Sequence, residues 1–235
     1  MNYFEIFNKV LLELNYRAIQ TFENIYKSEH KKILEAINRV NNEVLASYEW
    51  PFLERTTLLD VIEGENIYTL PFSGPIKCVY SADASYESYL EDSNRKNPVW
   101  KRVLYTPHTE ELLYSRLLGE YYAVAAGNSR GAGGGKIIFQ KPACDKVYSI
   151  TYYSRNFALG ENGDFKEKLT AEGDVSILPM PFAEHILVYG TCLKIKANPS
   201  YPKFAFWNTM YIQALANLRQ KSPQTKECEP FIKLI

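Results

Sequence analysis

The 235 residues are enough to bury a sizeable core, in one domain or in one body with an inserted lobe. Lys+Arg and Asp+Glu stand at 27 each, and the only basic pairs, Lys31-Lys32 and Lys194/Lys196, are short and isolated. The chain therefore lacks the basic stripe that grips phosphates, which argues against direct DNA binding, and no apolar run approaches a membrane span. Zero net charge leaves little self-repulsion, which suits packing against copies of the same chain. The 18 Tyr, 12 Phe and 3 Trp are open to two readings, as strand residues or as interface residues. Cys78, Cys144, Cys192 and Cys228 form no CxxC or metal-ligand spacing and are expected to be free thiols. Glu5, Lys9 and Glu13 interrupt the first apolar residues, which argues against a signal peptide; a soluble intracellular product is expected.

In chain order, Phe4, Phe7, Val10/Leu11 and Leu14 mark a first amphipathic helix. Asn15 is a plausible stop, although Ala18, Phe22 and Ile25 keep the rhythm and leave one helix to Tyr26 open. Ser28 fits the N-cap of a second helix beginning near Glu29. That helix repeats apolar residues at Ile33, Ile37, Val40, Val44 and Tyr48, with Leu34, Asn41 and Leu45 on the flanking row. It stops at Trp50-Pro51-Phe52-Leu53, because Pro51 cannot continue it and pushes Trp50 out of helical geometry. The corner offers no chemistry. Its expected role is structural, with Trp50 and Phe52 bridging a helical and a β-rich core.

Past Leu53 the pattern becomes β-rich. Thr56 to Ile62 and Ile67 to Leu70 read as strands joined by the hairpin signal Glu63-Gly64-Glu65-Asn66. Lys77 to Tyr80 and Val99 to Tyr105 are further strands, separated by a polar loop. Thr106-Pro107 opens a short helix to Leu118. Tyr121 to Ala126, Lys136 to Gln140 and Val147 to Tyr153 complete the strands, the first two flanking the glycine-rich loop Gly127 to Gly135. Pro179-Met180-Pro181 begins a helix to about Ala197. After Pro199 to Pro202 a last helix runs to Gln220, with Phe204, Trp207, Tyr211, Leu215 and Leu218 at helical spacing. The following tail carries Phe231, Ile232, Leu234 and Ile235, apolar residues suited to docking. There is no internal repeat. Helices, a β-rich middle and helices again read as α+β: a helical bundle from the N- and C-terminal helices (1–55 and 174–220), an inserted antiparallel β-rich lobe (56–173) and a C-terminal tail (221–235).

Catalytic motifs do not assemble. Gly135-Lys136 resembles the end of a P-loop, but Arg130 replaces the earlier glycine, Ile137 replaces the Ser or Thr, and a strand pattern follows. His30, His108 and His185 lie far apart with no ligand pair. No Ser or Cys has a nucleophile signature, and Glu110-Glu111 and Glu161/Asp164 read as solvated charges rather than a general acid/base pair. Neither an enzyme nor a metal or other cofactor is expected.

Taken together, the order of motifs resembles the head-to-tail adaptor (connector) proteins of tailed bacteriophages. The likeness is carried by Ala36-Ile37-Asn38 in the helix that ends at Trp50-Pro51-Phe52-Leu53, and by Ile67-Tyr68-Thr69-Leu70-Pro71. It continues through Tyr121-Tyr122-Ala123-Val124, Lys136-Ile137-Ile138-Phe139, Pro142 and Ile150-Thr151-Tyr152-Tyr153. Its last part is Asp174, Leu178-Pro179, Pro181-Phe182-Ala183-Glu184, Leu187 and Gly190. The insert Ser81 to Asn97 and the glycine loop depart from the pattern. The resemblance implies a non-enzymatic virion protein at the head–tail junction, assembled in the host cytoplasm. It implies a ring of identical subunits, commonly twelve copies, binding the portal protein on one side and a further tail or ring protein on the other. DNA would pass through the channel without sequence-specific binding. Phe231 to Ile235 are expected to dock on another subunit. The alternative from the residues is a β-sandwich carbohydrate- or receptor-binding module of a tail component, which would not need four helices.

Overall fold

The structure, a computed structural model, describes residues 1–82, 100–107, 120–125, 135–140 and 142–222. Among these residues the chain is α+β, with four α-helices and a curled, mixed sheet of seven strands. They fall into two compact units. Residues of Met1–Phe52 and Arg155–Gln224 form one, and residues of Leu53–Ser154 the other.

In the helical unit, α1 (Tyr3–Glu13) opens on a capping box. The Asn2 side chain accepts the Glu5 N–H at 2.8 Å and the Glu5 carboxylate accepts the Asn2 N–H at 3.0 Å, so two orphan donors are satisfied together. The helix stops at the expected place. Asn15 takes the left-handed conformation at φ 63°, and the Tyr16 N–H returns to the Leu11 carbonyl at 2.8 Å. The chain does not continue as one helix to Tyr26. The next helix, α2 (Ser28–Ala46), buries Ile33, Ile37, Val40, Asn41, Val44 and Leu45. Its N-cap is Lys27, with no side-chain cap bond, so Ser28 is the first helical residue rather than the cap. It also ends before the Trp-Pro corner.

The remaining helices, α3 (Phe182–Ile195) and α4 (Phe204–Lys221), pack on each other, and α3 also packs on α1 and α2. Gly190 marks the tightest point. A Cβ there would sit 2.8 Å from both Tyr211 Cε2 and Val40 Cγ1, so α2, α3 and α4 approach closely only because position 190 lacks a side chain. Ahead of α3, residues 155–178 fold against α2. The Asn38 amide donates to the Leu169 carbonyl and accepts the Leu169 N–H, both at 2.9 Å, and also donates to the Tyr3 hydroxyl. Fully buried Asn41 donates to the Phe157 carbonyl at 3.1 Å and accepts the Ser176 hydroxyl at 2.6 Å. These bonds satisfy backbone groups that a loop would otherwise bury unpaired. The segment carries a small antiparallel sheet, ordered β10 (Val175–Ser176), β8 (Ala158–Leu159), β9 (Phe165–Lys166). Strands β8 and β9, placed by the sequence reading in the 56–173 lobe, group with the helices.

The other unit holds β1 (Glu54–Val61), β2 (Ile67–Thr69), β3 (Ile76–Ala82), β4 (Lys101–Tyr105), β5 (Tyr121–Ala125), β6 (Lys136–Phe139) and β7 (Lys146–Tyr153). Their order across the sheet is β1-β7-β3-β4-β5-β6-β2. The expected hairpin between β1 and β2 does not form. These strands are the two opposite edges of the sheet, β1 paired with β7 and β2 with β6. The connection between Val61 and Ile67 can reach roughly 20 Å at full extension, whereas seven flat strands would separate their edges by roughly 29 Å. The sheet must therefore curl. Its inner face is filled by Val61, Val79, Val103, Tyr122, Ile137, Phe139, Tyr148 and Ile150. The Phe139 and Tyr148 rings meet at 4.1 Å although β6 and β7 are not neighbours in the sheet.

Two expectations are corrected here. The sheet is not purely antiparallel, because β4 and β5 pair in parallel; the chain between Tyr105 and Tyr121 is long enough for the crossover that such a pair needs. The thiols are not all free, because buried Cys78 is disulfide-bonded, whereas Cys144 and Cys192 are free.

Candidate functional site

Among the described residues, the Trp-Pro corner joins a helix end to a redirected chain. Pro51 begins a 3-10 turn, Pro51–Leu53, that redirects the chain. Ahead of it, α2 ends at Ala46 and leaves late carbonyls without helical donors. The Val44 carbonyl accepts from the Ser47 N–H at 3.3 Å, the Ser47 hydroxyl at 2.8 Å and the Trp50 Nε1 at 3.0 Å. Trp50 is wholly buried, meets Tyr48 edge-on at 4.8 Å and stacks on Phe52 at 5.6 Å. The ring thus closes a helix end and fills space at once.

The remaining candidates stay apart. His30 packs edge-on against Phe7 at 5.8 Å, and His185 leans on Tyr189 at 5.7 Å. No group of three His, Cys, Asp or Glu among the described residues is placed to hold a metal ion. Burial pushes the Cys192 thiol up to about 12, so it is protonated and a poor nucleophile at neutral pH. A strand, β6, follows Gly135-Lys136 where a P-loop needs a helix. His108, Glu110, Glu111, the loop 127–134 and the tail residues Phe231, Ile232, Leu234 and Ile235 lie outside the described residues.

The carboxylates at Glu161 and Asp164 belong to a structural loop. A Cβ at Gly173 would collide with the Glu161 carboxyl, and Asp164 lies 3.9 Å from Lys166 Nζ. The centre of this loop is Asp174, a fully buried residue that sequence reasoning did not single out for chemistry. Burial alone would raise its carboxyl. The Ala171 N–H at 2.8 Å, Lys166 at 2.8 Å, and the Thr170 N–H at 2.7 Å and hydroxyl outweigh that effect and hold it at about 2. An aspartate three or four residues after the donors it gathers is a local signal, legible in Thr170-Ala171-Glu172-Gly173-Asp174 as a turn rather than as a site.

A shallow groove of about 140 Å³ lies between α1 and α3, lined by Lys9, Leu12, Glu13, Glu184, Val188 and Tyr189. It is smaller than the few hundred Å³ of ordinary ligand pockets. Its charges are already engaged: Lys9 pairs with Glu184 at 2.6 Å, and Glu13 accepts from Trp207 Nε1 at 3.0 Å. What stands out instead is exposed apolar surface on the same unit, including Leu12, Phe165, Met180, Phe206 and Ile212. No described helix is long and apolar enough to cross a membrane. Compared with known proteins, the chain matches no family model and no curated protein sequence.

Proposed function

We propose that this chain is a head-to-tail adaptor of a tailed bacteriophage, a structural ring protein between the portal and the tail. In this reading its fold is a helical bundle, built from both ends of the chain, with an inserted β-rich lobe. The observation that carries the reading is the return of the chain: residues before Phe52 and after Arg155 group together, while 53–154 form a separate curled sheet. The two ends of this segment lie side by side, the Ser154 N–H donating to the Leu53 carbonyl at 2.9 Å, which supports reading it as an insert. This agrees with the order of helices, β-rich middle and helices from which the architecture is expected. Its partners would be identical subunits, the portal protein and a further tail or ring protein, with DNA passing through. A sandwich-type sugar-binding module would need two facing sheets in the middle of the chain, and the described middle is a single curled one.

The test is purified protein, alone and mixed with portal protein, imaged by negative stain and weighed by mass photometry. Rings, or complexes with portal, are expected. A strict monomer that ignores portal and binds a glycan would overturn the reading. Phe231 to Ile235 are proposed to dock on another subunit, so removing residues 222–235 should impair ring or virion assembly; unchanged assembly would remove that element of the proposal.

A further inference from the structure

Two exposed surfaces of the helical unit depart from ordinary solvated surface, in complementary senses. The first is the outward side of α4. From Phe204 to Leu218 the sequence carries no charge, yet Phe206 is 52% and Ile212 54% exposed, with the small exposed residues Ala205, Thr209 and Ala216 around them. By contrast, α2 shows how this chain solvates a helix, since its exposed positions include Glu29, Lys32, Glu35, Arg39 and Glu43. At the start of α4 Lys203 is paired with Glu13, whereas the end of the helix carries only cations, Arg219 and Lys221.

The second surface is the outer face of the small sheet. Its register sets Val175 opposite Leu159 and Leu159 opposite Phe165. Directly paired residues share a face, so the three side chains form one apolar row. Phe165 is 49% and Val175 36% exposed, while Ser176 and Ala158 of the next row are buried. Exposed Glu161, Asp164, Glu167 and Glu172 accompany this row. Between Ala158 and Val175 the chain has five acids against two lysines, and one of those lysines, Lys166, is held by Asp174.

We infer that these surfaces are the two halves of a self-interface, with α4 of one molecule seated on the β8–β10 face of another copy. Phe206 and Ile212 cover the Val175–Leu159–Phe165 row, and Arg219 and Lys221 meet the acidic segment. An exposed apolar surface with cations at its C-terminal end finds its complement on an apolar row accompanied by acids. Because the halves differ, the contact is heterologous and each copy retains one unused half. Such copies chain onward and can close into a ring. The inference deepens the adaptor reading and rests on it for ring closure, not for the pairing itself.

Sedimentation velocity over a concentration series, at low and high salt, tests it. The wild-type chain is expected to self-associate, and salt to weaken the association. Arg219→Glu/Lys221→Glu and Glu161→Lys/Glu172→Lys should each weaken it by roughly tenfold or more, with unchanged circular dichroism and only a small fall in melting temperature, because the first pair of changes opposes the C-terminal end of α4 and removes Lys221 from the Phe182 ring. Mixing the two variants should restore association, because each contact again joins opposite charges. A wild type that stays monomeric, or variants that associate like wild type, or a mixture that remains monomeric, overturns the pairing. Reversed variants that still join portal rings would refute this pairing and leave the adaptor reading standing. A wild type that neither self-associates nor joins portal would refute both.

Discussion

Trp50 and Asp174 hold the helical unit by different physics, and each can be tested alone. Trp50 combines complete burial with an indole N–H that closes the Val44 carbonyl. Trp50→Ala should cost about 3–5 kcal/mol, the loss of a large buried ring. Trp50→Phe, which keeps most of the volume and removes the donor, should cost about 1 kcal/mol from the hydrogen bond, plus a smaller packing term. Urea unfolding with an unchanged slope would measure both. If Trp50→Ala kept the wild-type midpoint but no longer joined portal, the corner would be an interface instead. Asp174 makes the chain acid-sensitive. Its folded carboxyl titrates near 2, below the unfolded value. The stabilisation it supplies is therefore fully present above about pH 4 and is lost as pH falls towards 2. Its size is at most about 2 kcal/mol, since the paired Lys166 is partly solvated. Asp174→Asn should unfold at lower denaturant at pH 7 and lose that part of the acid slope; an unchanged slope between pH 4 and pH 2 would refute the assignment. The donors of Asp174 are its near neighbours in sequence, whereas the complete burial of Asn41 was not legible there. Helical spacing places Asn41 beside the apolar stripe, but its partners Phe157 and Ser176 lie more than a hundred residues away.

At the scale of elements, Gly190 sets how closely three helices pack. Gly190→Ala would gain about 1 kcal/mol of helix propensity. Against that stands a methyl 2.8 Å from Val40 Cγ1, on a stiff β-branched side chain that is itself 1% exposed, and from the Tyr211 ring. Overpacking of this kind costs about 1–3 kcal/mol, so a net loss is expected, read as a lower thermal midpoint and partly recovered by adding Val40→Ala. The strands illustrate which signals local sequence carries. All seven strands of the large sheet lie where the β-rich runs place them, to within two residues at either end, because enrichment in β-branched and aromatic residues is a local signal. Pairing is a different matter. Glu63-Gly64-Glu65-Asn66 is a real turn, with Gly64 at φ 81°, but it joins opposite edges of a curled sheet. A turn motif states that the chain reverses, not which strand it meets. The pairing of β1 with β7, from Glu54 opposite Tyr153 to Val61 opposite Lys146, depends on residues far apart in sequence, for which one sequence holds no signal.

For the whole molecule, the paired exit and entry of residues 53–154 turn the proposed insertion into a deletion experiment. Leu53 and Ser154 are joined by a backbone hydrogen bond, and β1 and β7 continue that pairing from Glu54 and Tyr153. A short Gly/Ser linker from Phe52 to Arg155 therefore need span only about the separation of two neighbouring strands, roughly 5 Å. The core of the helical unit already has its own closure. Tyr3 bonds to the Leu34 carbonyl, Asn38 to Leu169, Asn41 to Phe157 and Ser176, and Trp207 to Glu13. Every one of these partners survives removal of 53–154. The shortened chain should remain helical by circular dichroism and unfold in one cooperative transition, because a unit with its own core and these internal hydrogen bonds meets the conditions for folding alone. A non-cooperative or unfolded product would mean that the helices depend on the sheet, and the description as a bundle with an inserted lobe would have to be abandoned. If the shortened chain folds, it becomes the sharper reagent for the self-interface. Both α4 and the β8–β10 face remain on it, so the association and its restoration by the mixed charge-reversed variants should persist without the large sheet.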